Sequence, residues 1–163
     1  MSTTRTLLIR ALQERLIPVF MGLGFNQLPL SPEDQGSREV SFSFPLGRLR
    51  RIKNDGSFEL LEIQLDKHGA AKFRLNFGVV PVQGIDHPVK HVDQSEASVQ
   101  YLKYYCELCS WPLFMKWFSV PSTSSESKVW RLVDRVAGFI SEVEAWFKTD
   151  KAGPHVRRVG RPP

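Results

Sequence analysis

Two histidines and two cysteines form the set of residues that most directly suggests metal chemistry. Cys106 and Cys109 are separated by two residues, and His87 and His91 by three. Thiolate and imidazole ligands at such local spacings can complete a tetrahedral Zn²⁺ site. The sequence holds no second CxxC pair, however, and free cysteines often pack in a core as small apolar residues. A zinc site and buried structural cysteines therefore both remain open interpretations.

Other patterns of catalytic residues are missing from the sequence. There is no glycine-rich phosphate loop, no HExxH helix and no GxSxG nucleophile elbow. The CxxC pair also lacks the context of a redox site, which normally opens a helix directly after a strand. We therefore assign no catalytic residue from the sequence, and whether the protein is an enzyme stays open.

Polar and apolar side chains alternate along residues 61–66 and 72–79, which is the pattern of two half-buried strands. Apolar residues of paired strands must share a face, because a slip of one residue would turn them to solvent. A hairpin with a loop at 67–71 meets this condition. Its predicted pairs are Leu65 with Phe73, Ile63 with Leu75, and Leu61 with Phe77. The opposite face then carries Glu62, Gln64, Asp66, Lys72, Arg74 and Asn76, our candidate partner-binding surface.

Amphipathic helices are predicted near both ends of the chain. Apolar residues at helical spacing predict a helix over about residues 4–21, with a kink or restart at Pro18. A second apolar stripe over residues 129–147 predicts the strongest helix, and Ser124 or Ser125 can serve as its N-cap. These two helices supply the apolar faces that the sheet needs in order to form a core.

The segments between these elements are read from their local patterns. Alternation predicts a strand at 40–44, and the basic segment 48–53 is a second strand candidate. Residues 81–95 carry two Pro, a Gly and two His, and we expect a long loop of the kind that often holds binding sites. Residues 96–110 fit a helix or a strand, and residues 113–120 fit a strand.

The chain of 163 residues suits one domain, which we place at 1–149, followed by a tail at 150–163. The net charge is +5, but residues 148–163 hold five of the 22 basic and one of the 17 acidic residues. Residues 1–147 therefore carry 17 basic and 16 acidic residues and are nearly neutral. We predict that the basic, Pro-containing tail is disordered, with nucleic-acid association through it as a further alternative.

No segment of the sequence has the continuous apolar run of a signal peptide or a membrane span. Two cysteines are too few for a disulfide framework. The composition, with 42% hydrophobic and 24% charged residues, is that of an ordinary globular domain. We therefore expect a cytoplasmic protein without a membrane partner.

Several short motifs stand in a familiar order. A helix ends in Gly24-Phe25, the strand Glu62-Ile63-Gln64 follows, and then comes Phe73-Arg74-Leu75-Asn76-Phe77-Gly78. A Trp-containing strand and a terminal helix complete the order over about residues 4–147. In these features the chain resembles a bacterial family catalogued as domain of unknown function 4304. The resemblance implies an α+β architecture and no established activity.

The predicted fold is α+β: an antiparallel sheet of about four to five strands with the N-terminal and C-terminal amphipathic helices packed on one face. With its other face open, we expect a protein-interaction or accessory module without catalysis, for example one that neutralises a toxin. The alternative is a small-ligand or zinc-binding protein, or an enzyme, using the loop 81–95 with Cys106 and Cys109. A deep cavity with converging polar groups would favour the ligand, and a flat surface the protein partner.

Overall fold

The hairpin predicted from the alternation of residues 61–79 lies at the centre of the fold. In the computed structural model, which describes residues 3–114 and 116–161, it consists of strands β3 (Phe58–Leu65) and β4 (Lys72–Val80). Their register pairs Leu65 with Phe73, Ile63 with Leu75, and Leu61 with Phe77. The predicted register is therefore confirmed, and the six polar side chains of the candidate surface share the opposite side of the hairpin.

The sheet extends beyond this hairpin on both sides. Its other strands are β1 (Asn26–Leu28), β2 (Arg48–Ile52), β7 (Tyr104–Leu108), β8 (Phe118–Ser119) and β9 (Val156–Gly160). The order is β1-β2-β3-β4-β7-β9, with β8 paired to the start of β4, and every pairing is antiparallel. The α+β class is confirmed, and the sheet of seven described strands is larger than the predicted four to five.

The N-terminal helix remains helical across Pro18. It consists of α1 (Thr4–Ala11), a π-helical turn at Leu12–Leu16, and α2 (Ile17–Gly22). In a π-turn each N–H bonds to the carbonyl five residues back, so the backbone is wider than in an α-turn. The wider turn directly precedes Pro18, whose ring would clash with a carbonyl of a regular α-turn. The predicted helix is thus present. The π-helical turn before Pro18 lets the chain stay helical there without a break.

The predicted C-terminal helix is divided in two, α5 (Glu126–Ala137) and α6 (Ile140–Thr149). Ser125 is the N-cap of α5, and Gly138 and Phe139 separate the two helices. Buried side chains of these helices and of the N-terminal helix pack with one face of the sheet in a single core. The core includes Leu8, Phe20, Ile63, Phe77, Val133 and Trp146. The placement of both amphipathic segments on one face is confirmed.

Residues 40–44 do not form the predicted strand. Two short helices, α3 (Pro32–Gly36) and α4 (Arg38–Ser43), occupy this region. The Ser37 hydroxyl accepts a hydrogen bond from the N–H of Val40 and so caps α4. Phe42 is 46% exposed, and the Arg5 guanidinium lies 4.0 Å above its ring. The strand prediction is wrong because the cap and this contact with the N-terminal helix outweigh the period-two pattern.

The predicted disorder of the tail is wrong for residues 156–160. These residues form β9, which pairs along its whole length with β7. Val156 is buried, and the Arg157 guanidinium forms an ion pair with Glu107 on β7. The ordered domain therefore extends past the predicted boundary at residue 149. Strand β7, which is distant in sequence, pairs with this part of the tail, and Glu107 neutralises the charge of Arg157. Pro162 and Pro163 lie outside the described residues.

Residues 81–102 cover the face of the sheet opposite the helices. The predicted loop 81–95 contains a small hairpin of β5 (Ile85–Asp86) and β6 (His91–Val92), and 3₁₀ turns follow at Gln94–Glu96 and Val99–Tyr101. A second core forms beneath this segment. It comprises Phe58, Leu60, Val80, Ile85, Val92, Ala97 and Val99. The ambiguous region 96–110 thus resolves into a 3₁₀ turn followed by strand β7.

The segment 113–120 is only partly a strand. Residues 118 and 119 form β8, whereas Pro112–Phe114 is a 3₁₀ turn and Met115 lies outside the described residues. Among the described ranges, no helix has both the length and the apolar character needed to cross a membrane.

Candidate functional site

A row of five charged or amide side chains crosses the sheet on the face opposite the helices. Glu62 pairs with Asn76 in the β3–β4 register, Asn76 with Glu107 in the β4–β7 register, and Glu107 with Arg157 in the β7–β9 register. On the far side Arg48 lies beside Glu62, with its Nε 2.9 Å from Oε2. The row therefore reads cation, carboxylate, amide, carboxylate, cation, so each carboxylate has a cationic neighbour within the sheet.

Glu62 is held by bonds from two directions. Besides Arg48, its carboxylate accepts from the Ser98 hydroxyl at 3.2 Å and from the Val99 N–H at 2.6 Å. Arg48 also reaches Asp34 at 2.7 Å. Burial lowers the pKa of Arg48, but the ion pairs and hydrogen bonds with Glu62 and Asp34 outweigh it and raise the pKa above its usual value. The ion pairs and hydrogen bonds therefore favour the charged form of Arg48 in the folded protein.

Glu107 is the second buried carboxylate of the row. It forms ion pairs with Arg74 on β4 and Arg157 on β9, one to each carboxylate oxygen. The guanidinium of Arg74 also lies 4.6 Å above the ring of Trp117. Two arginines from separate strands thus converge on one acid, which ties β9 to the sheet.

The candidate partner-binding face is assembled but mostly covered. Glu62, Asp66 and Asn76 are buried, whereas Lys72 and Arg74 are partly exposed. The segment that carries Ser98 and Val99 lies over Glu62 and uses its carboxylate as an anchor. The sequence correctly brings the six residues together, but the expectation of an open face is wrong because the chain covers it with its own 3₁₀ turns.

The four candidate zinc ligands lie in different environments. Cys106 and Cys109 are buried, and burial raises the pKa of Cys106 to about 12 and that of Cys109 to about 11. His91 is partly exposed and lies 2.7 Å from Asp86, which raises the pKa of its imidazole. His87 packs edge-on against the ring of Tyr101. Within residues 3–114 and 116–161, no three His, Cys, Asp or Glu side chains are grouped so that they could hold a metal ion.

A groove of about 950 Å³ opens where the loop 81–86 meets the end of α6. Its apolar floor comes from the end of β4, the start of β7 and α6. The floor residues are Val79, Leu102, Tyr104, Trp146 and Phe147. The ring of Trp146 lies 5.3 Å from that of Phe147 and 5.8 Å from that of Tyr104. The contact between Trp146 and Tyr104 joins α6 to β7, and together these aromatic contacts give the floor a fixed shape.

The rim of the groove carries charges of both signs. Lys103, Lys148 and Arg161 line it together with Asp86 and Asp150. Asp86 is paired with His91, and Asp150 accepts a hydrogen bond from the Tyr104 hydroxyl at 3.2 Å. No carboxylate in the described part of the chain forms an ion pair with any of the three rim cations. The rim therefore offers an excess of uncommitted positive charge.

Asp150 marks the point at which the chain leaves α6 and turns along the rim. Its backbone is left-handed, with φ of 55°, and its N–H bonds to the carbonyl of Trp146. Its own carbonyl accepts from the Arg158 guanidinium at 2.6 Å. A non-glycine residue in this conformation is strained unless its surroundings hold it. Here the bonds to α6 and β9 hold the residue, and they place its carboxylate beside Tyr104.

Sequence reasoning pointed to one wall of this groove and missed the others. Residues 81, 83, 84, 85 and 86 of the predicted loop line the groove. The sequence places Phe147 in the apolar stripe of the last helix and Arg161 in the predicted tail, and no pattern marks Trp146 as part of a site. The cluster of Lys148, Asp150 and aromatic residues at the end of one helix is a local signal, but only β9 brings Arg161 to it.

Comparison with known proteins adds no assignment, because no family model, no curated protein and no solved structure matches the chain, and the resemblance to domain of unknown function 4304 stays a prediction.

Proposed function

We propose that this protein binds a small amphipathic anion in the groove between the loop 81–86 and the end of α6. The apolar body of the ligand rests on the aromatic floor, and its carboxylate or similar group meets the rim cations. The observation that carries the proposal is the combination, in one groove, of a fixed apolar floor with three cations that lack a described carboxylate partner.

The dimensions and the floor support this proposal. Sites for small molecules are commonly concave, about 300–1,000 Å³ in volume and mostly apolar, with a few polar groups that orient the ligand. The groove, at about 950 Å³, falls within this range. Tyr104, Trp146 and Phe147 supply broad apolar surfaces, and burying a side of an aromatic or aliphatic ligand against them provides most of the binding free energy.

The charges support an anion in preference to a cation. Asp86 and Asp150 already have partners in His91 and Tyr104. Lys103 and Lys148 are exposed, so a ligand anion that reaches them displaces water and breaks no ion pair. A ligand cation would have to compete with the existing bonds of the two carboxylates.

Two fluorescent probes with similar aromatic bodies test the proposal. Anilinonaphthalene sulfonate carries an anionic group, whereas phenylnaphthylamine is uncharged. We expect Lys148→Glu to weaken binding of the sulfonate by at least about tenfold and to change binding of the neutral probe by less than about twofold. The matched control is Lys53→Glu, which makes the same charge change at an exposed lysine outside the groove. Equal effects of the two variants, or tighter binding of the neutral probe, would contradict anion recognition.

A second candidate function, protein interaction, is supported by an exposed apolar tip, which we define as Trp111, Leu113 and Phe114. These side chains are 52%, 79% and 74% exposed, and the two aromatic rings stack at 6.5 Å. Adjacent exposed apolar side chains commonly mark an interaction surface. A photocrosslinker at position 113 should capture one protein that a crosslinker at position 53 does not. Identical capture at both positions would count against this candidate.

A further inference from the structure

A second, smaller groove, of about 410 Å³, lies between helix α5 and the chain at the end of β8. We call it the basic groove and define it by its six lining residues, which are Ser119, Val120, Lys128, Arg131, Leu132 and Arg135. None of these residues lines the groove of the proposed function. Half of the lining residues are therefore cations, and none of the six is an acid.

The three cations of the basic groove are exposed and have no acidic partner. Lys128, Arg131 and Arg135 form no ion pair with any residue in the described ranges 3–114 and 116–161. The two acids of α5 are paired instead with arginines of the N-terminal helix. An anion that enters the basic groove therefore displaces water and breaks no ion pair.

The arrangement of these cations is unfavourable for the helix by itself. Arg131 lies three residues after Lys128 and four before Arg135, so like charges are neighbours on one face of α5 and repel each other. Lys128 is also the third residue of α5, and a cation in the first turn of a helix is disfavoured by the helix dipole. A bound anion with several charges would relieve both effects.

The spacing of the cations suits several linked anionic groups in a row. Lys128 and Arg135 are seven residues apart, which is about 10.5 Å along the helix axis at 1.5 Å per residue. Linked phosphates let each cation meet its own anion, and the planar guanidinium of an arginine can bond two phosphate oxygens at once. No aromatic side chain lines the basic groove, so it offers no surface on which a nucleobase could stack.

We propose that the basic groove binds a short chain of linked phosphate groups. Successive phosphates meet Lys128, Arg131 and Arg135, and the hydroxyl of Ser119 can donate a further hydrogen bond from the other side. The phosphate chain alone carries the recognition, because the lining provides neither an aromatic surface nor an acid to select a sugar or a base. This site is independent of the amphipathic anion proposed for the groove at α6.

Calorimetric titration with tripolyphosphate, orthophosphate and the tricarboxylate citrate at low salt tests the inference. Tripolyphosphate should bind with a Kd of about 100 μM or lower, and at least about tenfold more tightly than either of the other anions. Arg131→Gln should weaken its binding by at least about tenfold. The matched control, Arg38→Gln, removes the same charge from an exposed arginine of α4 and should change binding by less than about twofold. Lys148→Glu, in the groove at α6, should also have less than about a twofold effect.

Thermal unfolding, followed by circular dichroism, gives a second measurement. Without ligand, Arg131→Gln should unfold at the same temperature as the wild type or at a higher one, because it relieves repulsion on α5. Tripolyphosphate should raise the Tm of the wild type and of Arg38→Gln more than that of Arg131→Gln.

Three results would overturn the inference: no binding of tripolyphosphate, equally tight binding of orthophosphate or citrate, or equal effects of Arg131→Gln and Arg38→Gln. Loss of binding in Lys148→Glu alone would also overturn it, because the phosphate chain would then lie in the groove at α6. Tighter binding of a short DNA duplex than of tripolyphosphate would assign the cations to a nucleic-acid backbone instead. Failure of the sulfonate probe test would leave the tripolyphosphate titration unaffected, so the two proposals fail separately.

Discussion

Arg48 and Glu62 form an ion pair of 2.9 Å whose side chains expose only 7% and 1% of their surface. Desolvating two charges is costly, and a buried pair is maintained only when each charge keeps good partners. Arg48 has Asp34 as a second acid, and Glu62 has the hydroxyl of Ser98. The pair therefore connects β2, β3, α3 and the segment that covers the polar face.

Removing one member of this pair should be strongly destabilising. Arg48→Met leaves the Glu62 carboxylate buried without its cation, and we expect the free energy of unfolding to fall by about 3–5 kcal/mol. The control is Arg15→Met at an exposed pair, 3.5 Å from Asp134, where we expect less than about 1 kcal/mol. Chemical denaturation of both variants gives the comparison. Equal decreases in the free energy of unfolding for the two variants would contradict a stabilising role of the buried pair between Arg48 and Glu62.

Asp66 should make stability depend on pH. Burial raises the pKa of this carboxyl, but hydrogen bonds from the N–H groups of Ala70 and His68 and the ion pair with Lys72 outweigh it, so the pKa lies below its usual value. A lowered pKa in the folded state stabilises the fold above the unfolded value of about 3.9, and this contribution is lost as pH falls through the folded pKa.

The matching variant is Asp66→Asn. The difference in free energy of unfolding between the wild type and this variant should be largest near neutral pH and should shrink as pH falls below about 4. Denaturation curves across this range measure it. A difference that stays constant, or grows at low pH, would contradict the assignment.

Gly160 should be required for the pairing of β9 with β7. Its φ is 85°, and a Cβ at this position would lie 1.8 Å from the carbonyl oxygen of Lys103. Gly160→Ala should therefore loosen β9 and destabilise the fold by about 1–3 kcal/mol. Gly22→Ala, where a Cβ meets nothing within 4 Å, is the control. Hydrogen exchange should speed up at residues 156–160 in the first variant alone, and identical exchange in both would mean that the tail is not held as described.

The two cysteine thiols should be unreactive in the folded protein. Burial raises the pKa of Cys106 to about 12 and that of Cys109 to about 11, and only the thiolate attacks a disulfide reagent. At pH 8 we expect reaction with dithiobis(nitrobenzoate) only after denaturation, and treatment with a chelator should not change this. Rapid reaction of the native protein, or reactivity that appears when metal is removed, would revive the zinc interpretation.

The central hairpin could be predicted because both of its strands alternate and a slip of one residue has a large cost. The pairing of Leu65 with Phe73 follows from that condition alone. Residues 40–44 alternate in the same way, yet residues 40–43 lie in a helix, because the contact of Phe42 with Arg5 lies outside the local pattern. For strands, local periodicity was therefore reliable only where the two partners of a pairing were adjacent in sequence.

The candidate sites depend even more on distant contacts. The sequence grouped Glu62, Gln64, Arg74 and Asn76, because they share one hairpin face. It could not reveal that residues 98 and 99 cover this face, nor that β9 brings Arg161 to the end of α6. Both facts arise from pairings between segments far apart in the chain, which no local pattern encodes.

The indole N–H signals of the four tryptophans provide the most direct test of the proposed groove. Trp146 lies in its floor, whereas Trp111 belongs to the apolar tip and Trp130 lies on α5. In a ¹H–¹⁵N titration with anilinonaphthalene sulfonate, we predict that the Trp146 signal shifts with saturation while those of Trp111 and Trp130 stay in place. A shift confined to Trp111, with Trp146 unchanged, would place the ligand at the tip and contradict the groove as the binding site.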